Sequence, residues 1–207
     1  MTFLNDLLRN LGIEGPIDQI TNRAMRAALL DRELFREVEE DTSLNREALM
    51  IVIVASIASG IAAFITSLFR QRIGTAVLGL LIPSAVGIAN YYIWAYVTQF
   101  IALNLYESET DLGELLRVLG YASVPRLLSL LGFIPCLGPV LSFAGGIWAL
   151  AAGFIGIREA LDLDTTDTVV TVILGWLAIM IIGGIVTTVL GIGAIGLGPV
   201  LHNLGLY

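Results

Sequence analysis

Lysine is absent from this 207-residue chain, which carries a single histidine, His202, and a single cysteine, Cys136, and only 14% of its residues are charged. Without lysine there is no Schiff base to retinal or pyridoxal phosphate and no lysine general base. A lone cysteine closes no intrachain disulfide and builds no thiolate metal site. A haem or zinc site would lack most of its ligands, so no cofactor and no metal are expected. The net charge of −7 argues against nucleic acid, whose phosphates demand a basic face. A water-soluble domain carries about 25% charged residues. This chain, 57% hydrophobic with 22 glycines, is built for lipid.

The charges are uneven. Residues 1–47 hold most of the arginines and more than half of the acids. Phe3, Leu4, Leu7, Leu8 and Leu11 recur at helical spacing, Gly15 and Pro16 break the pattern, and a second apolar stripe runs from Ile17 through Ile20, Ala24, Ala27 and Ala28 to Leu30, Leu34, Phe35 and Val38. These are amphipathic helices, to be laid in the headgroup plane, against the membrane domain or on a partner. Acid and arginine within the first nine residues do not fit a secretory signal peptide.

From Ala48 onward long apolar runs dominate. About 20 apolar residues cross a hydrocarbon core, and the runs predict spans at 48–69, 80–105, 115–134, 140–157 and 168–195. Pro83 is expected to kink the second run or to set off a short interfacial turn, and Pro125 interrupts the third. Pro135 to Pro139 reads as a tight turn. Asp164 or Thr165 caps the last helix, with Asp167 in its first turn. The expected architecture is all-α: a polytopic membrane helix bundle of about five transmembrane helices (48–207) behind a cytoplasmic amphipathic helical segment (1–47). Six arginines precede the first span, and Arg117 and Arg158 fall on the same side, against Arg70 and Arg72 on the other. Arginine placement therefore puts the N-terminus inside and the C-terminus outside.

Three segments, in order, resemble the Yip family, the Ypt/Rab-interacting-protein domain of five-span membrane proteins. Glu114 to Pro125 carries a Gly-Tyr-Ala unit, Gly120 to Ala122, leading to a proline at the third span. Ile147 to Glu159 is a fourth span that bears Trp148 and ends in the pair Arg158 and Glu159. Ala160 to Asp167 is the polar break before a long final span. The resemblance covers roughly residues 29–191. Together with helix faces of small residues and the absence of paired carboxylates, a nucleophile with its base or a metal cluster, it points to a non-catalytic protein that organises the membrane or recruits partners, or to an accessory subunit of a larger membrane complex. The partners implied are the bilayer and either another membrane protein or a second copy of the chain. Nothing matches the Asp-Leu-Tyr-Gly-Pro type motif of eukaryotic members, and the loop 107–111 is acidic and polar. These departures argue against Rab-type GTPase binding and point to a prokaryotic cell-membrane member.

Seven residues stand out. Arg126, counted along a helix from Leu115, lies about 16 Å deep, where a charge needs a partner; it is a buried ion pair, a headgroup or substrate site, or a marker of the membrane surface after Pro125. Gly120, Tyr121 and Pro125 suit a hinge or docking element, or close helix packing with an interfacial anchor. Trp148 belongs to the fourth span. Arg158 and Glu159 bind a partner or end the helix. A different function, a small-solute or ion transporter or channel, would use Arg126 with Asn90, Gln99 and Asn104. Small residues at four-residue spacing, at Ala55, Ser59 and Ala63, at Gly145, Ala149 and Gly153, and at Gly183, Thr187 and Gly191, mark close helix packing. Gly191 to Gly196 matches a dinucleotide fingerprint in letters, but it follows a membrane helix and has no acid downstream.

Overall fold

A computed structural model describes residues 17–69, 73–106, 110–182 and 185. Residues Met1 to Leu11, Arg70, Arg72, the glycine series from Gly183, the Gly191 to Gly196 fingerprint and His202 lie outside the described residues. The described chain is helical throughout, as the sequence predicts: α1 (Ile17–Ala28), α2 (Arg32–Glu40), a short 3₁₀ turn (Thr42–Leu44), α3 (Asn45–Phe69), α4 (Ile73–Leu105), α5 (Leu112–Ala122), a 3₁₀ segment (Val124–Phe133), α6 (Leu137–Ala160) and α7 (Thr165–Ile182). Four of these helices are long and apolar enough to cross a membrane, and α5 with the 3₁₀ segment, bent by 44°, supplies a fifth crossing if the pair is one span.

Local chemistry sets the boundaries. The apolar stripe from Ile17 to Val38 is two helices rather than one. Leu30 adopts φ 62°, and the amides of Leu30 and Asp31 turn back to the carbonyls of Ala27 and Arg26, the bond pattern that seals a helix end around a left-handed residue. Asp31 then caps α2 by accepting from the Glu33 amide at 3.0 Å. Asp41 accepts from the Ser43 amide at 2.9 Å and starts the short turn into α3. Asp111 and Glu114 form a reciprocal capping box at the head of α5. Asp164 accepts from the Asp167 amide at 2.8 Å, so it is the cap expected for the last helix.

Of the two expectations about the prolines, one is corrected and one holds. α4 runs unbroken through Pro83 from Ile73, so Pro83 sets off no interfacial turn. Pro125 interrupts the third run as expected: Ser123 closes α5, Pro125 stands in the first turn of the next segment, and ten residues continue as 3₁₀ helix. With about 2.0 Å rise per residue, that segment reaches further than an α-helix of equal length. The predicted Pro135 to Pro139 turn is shorter, because α6 already begins at Leu137 after Cys136 at φ 65°.

The main core lies where the N-terminal helices meet the bundle. Leu34, Phe35 and Val38 of α2 are fully buried against Val52 of α3, Val118 and Tyr121 of α5, and Ile157 of α6. Each such side chain contributes about 1.5–3 kcal/mol when taken from water. The amphipathic stripe from Ala24 to Val38 is therefore packed on the chain's own membrane domain. α4, α6 and α7 instead expose Leu81, Phe100, Phe143, Ile173 and Met180, a face suited to lipid tails.

Candidate functional site

Two arginine clusters, one around half-buried Arg23 and one around buried Arg117, tie α1 and α2 to the bundle. Glu47, in the first turn of α3, is 2% exposed and lies near the positive end of that helix. Arg23 of α1 grips its carboxylate with two bonds, Nε to Oε1 at 2.9 Å and Nη2 to Oε2 at 2.5 Å. Tyr121 of α5, wholly buried, donates its hydroxyl to Oε1 at 2.5 Å. The carboxylate holds the Arg23 guanidinium even more firmly protonated than usual. Three helices thus converge on one acid.

The second cluster is centred on Arg117 of α5, 3% exposed. Its Nε donates to the Val38 carbonyl at 2.9 Å, its Nη1 to Asn45 Oδ1 at 3.1 Å, and its Nη2 to the Glu39 carbonyl. Val38 and Glu39 lie in the last turn of α2, whose carbonyls have no intrahelical partner and form the negative end of the helix dipole. A residue from the membrane domain therefore caps an N-terminal helix. Beside it, burial and the neighbouring acids, Glu114 and Asp162 first among them, push the Glu39 carboxyl up to about 7. Asp41 is held below its ordinary value by its bonds to Ser43, and Asp31 by the Arg26 guanidinium.

The residues singled out from the sequence fall around this dock and one cavity. Gly120 faces Ala48 so closely that a β-carbon on it would stand 2.7 Å from the alanine methyl and 2.9 Å from its carbonyl oxygen. Tyr121 is the Glu47 partner just described. Pro125 is buried, and its carbonyl abuts Gly145 of α6. Trp148 donates its indole N–H to the Ala28 carbonyl at 2.8 Å, capping the end of α1. Glu159 pairs with Arg36 of α2 at 3.1 Å, and Arg158 sits in the last turn of α6. Sequence reasoning passed over Arg23, Glu47, Asn45 and Arg117, the residues that make the dock. The one available signal was that Arg117 and Tyr121 stand four residues apart, on one face of a helix.

Arg126 does not join the dock. It lines a cavity of about 520 Å³ between α4, α6 and α7, together with Asn90, Trp94, Ser142, Phe143 and Trp176. Its level follows from two contacts: Gly120 meets Ala48, and Ser129 Oγ lies 2.7 Å from Ser59 Oγ. Arg126 stands between them, roughly 10 Å along the bundle from Ala48 at 1.5 Å per residue. Among the described residues neither Arg126 nor Asn90 has a hydrogen-bond or ion-pair partner. Gln99 bonds instead to the Thr110 carbonyl and Asn104 to the Phe100 carbonyl, so these two do not meet Arg126. Among the described residues no group of histidine, cysteine and acid side chains is placed to hold a metal ion.

Comparison with curated proteins and with solved structures returns no match. The family model described as the Yip1 domain matches residues 29–195, a stretch that includes α2, both Arg117 and Glu47, and the cavity. With its apolar helices and this match, the chain belongs to the Yip1 domain family and is an integral membrane protein.

Proposed function

We propose that the protein is a non-catalytic scaffold of a prokaryotic cell membrane that recruits a protein partner, or a further copy of itself, on a platform built from α1 and α2. The observation that carries this reading is the Arg23, Glu47 and Tyr121 cluster. A buried charge pair contributes little net stability but is strongly disrupted when one member is lost, so it suits fixing a geometry. α2, docked in this way, turns outward a mixed-charge surface of Arg32, Glu33, Arg36, Glu37 and Glu40, all of them exposed. Such a rigid charged face favours selection of one partner over others. In this reading the N-terminus is cytoplasmic and the C-terminus lies outside, as arginine placement implies, and neither a Rab-type GTPase nor nucleic acid is the partner.

Affinity purification of the full chain in a mild detergent tests it. A stoichiometric protein partner or a defined oligomer is the expected result, reduced when Arg32, Glu33, Glu37 and Glu40 are replaced together by serine. A monomer that copurifies with no protein overturns the proposal.

A further inference from the structure

We infer that the cavity at Arg126 is a binding site for a long-chain carboxylic acid taken up sideways from the bilayer, with the carboxylate on the Arg126 guanidinium and the acyl chain between Trp94, Phe143 and Trp176. This goes beyond the scaffold reading and does not depend on it. A guanidinium below the membrane surface is costly unless paired, and the described residues supply Arg126 with no acid. Arg126 is the one charged residue among the described residues lining the cavity, and Asn90 and Ser142 stand with it as further hydrogen-bonding groups. The remaining wall is largely aromatic and aliphatic. One charged anchor in an apolar cleft of several hundred cubic ångströms is the form of a small-molecule site, and planar guanidinium matches carboxylate through two parallel hydrogen bonds.

The wall is also built to stay open. The Trp94 indole lies in a slot between two glycines: a β-carbon on Gly153 of α6 would approach it to 2.5 Å and one on Gly175 of α7 to 3.0 Å. Gly146, in contrast, borders the cavity with no atom within 4 Å of where its β-carbon would stand. Depth selects the occupant. Arg126 is roughly 10 Å along the bundle from Ala48, where the apolar run begins, and so lies below the plane in which bilayer phosphates sit. A compact carboxylate on a single chain reaches this level more readily than a phospholipid headgroup.

Tryptophan fluorescence of the full chain in nanodiscs of neutral lipid, titrated with 9,10-dibromostearate, tests the assignment, since Trp94 and Trp176 line the cavity. Saturable quenching is expected, with the methyl ester of the same acid giving only the unsaturable background. Arg126→Gln should weaken binding by about ten- to a hundredfold, the range for loss of a hydrogen bond to a charged group. Gly146→Leu, which fills the cavity and leaves the arginine in place, should abolish it and keeps the test decisive if Arg126→Gln does not fold. Equal binding of acid and ester overturns the proposal, as does unchanged affinity in Gly146→Leu. Saturable quenching by a brominated phosphatidylglycerol and not by the acid assigns the site to a phospholipid and overturns it too. So does a chain insensitive to every probe that forms a dimer broken by Gly146→Leu, because the cavity is then filled by a second copy.

Discussion

Arg117 Nε donates to the carbonyl of Val38, 79 residues away in sequence, at 2.9 Å. With Nη1 on Asn45, it closes the end of α2 from the membrane domain. Arg117→Ala leaves two carbonyls of that end without a donor in a buried place, and we expect a loss of about 3 kcal/mol in thermal or denaturant unfolding in detergent. Arg36→Ala removes an ion pair whose arginine is 70% exposed and should cost no more than about 1 kcal/mol. Comparable losses from the two variants would contradict the distinction.

Glu47 holds together three helices, and its removal should be the most damaging single change in the dock. Glu47→Ala leaves the Arg23 guanidinium without its counter-charge and the Tyr121 hydroxyl without the carboxylate it donates to. The expected cost is about 3–5 kcal/mol, against about 1 kcal/mol for Tyr121→Phe. In a double-mutant cycle Arg23→Ala and Glu47→Ala should cost clearly less together than the sum of the singles. Additive costs would show that the pair does not interact.

Glu39 gives the dock a pH dependence of defined sign. Its folded value of about 7 lies above that of an unfolded glutamate, about 4.3, so the folded state binds the proton more tightly. Its contribution to stability is complete below the unfolded value and is lost as pH rises through about 7. Asp31 and Asp41, held low by their partners, act in the opposite sense and lose their contribution as the medium turns acid. Glu39→Gln should flatten the fall in melting temperature between about pH 4.5 and 7 while leaving the acid-side loss intact. A profile identical to that of the unmodified chain would exclude Glu39 as its source.

Gly120 and Gly146 predict opposite outcomes for the same substitution. Gly120→Ala drives a methyl into the Ala48 backbone and should destabilise by about 1–3 kcal/mol. Gly146→Ala meets open space and should be neutral or stabilising by up to about 1 kcal/mol, the helix preference of alanine over glycine. Melting temperatures of the two variants in one detergent decide this.

Composition and run length made the membrane class and the helical architecture legible, because lipid imposes helices on long apolar runs. The Asp164 cap was equally readable, since a cap depends only on neighbours in sequence. The end of α1 was not: it falls on Leu30, a residue with no preference for the left-handed conformation it adopts, and tertiary packing of Leu34 and Phe35 imposes the turn. Pro83 misled for a related reason, as membrane helices carry proline through when neighbouring groups take up the freed carbonyl. At the site, Tyr121 and Arg126 stood out as unusual residues in apolar surroundings, whereas Glu47 looked like the last charge before a span. Its role depends on Arg23 and Tyr121, 24 and 74 residues away, and no local pattern encodes such a meeting.

Amide hydrogen exchange over Ile17–Glu40 in the full chain, embedded in a bilayer, tests most directly whether the N-terminal helices and the membrane helices form one body. Protection of α1 and α2 close to that of the first turns of α3 is the predicted result, lost together in Glu47→Ala and Arg117→Ala. Rapid exchange across both helices in the unmodified chain, with α3 still protected, would contradict a single body.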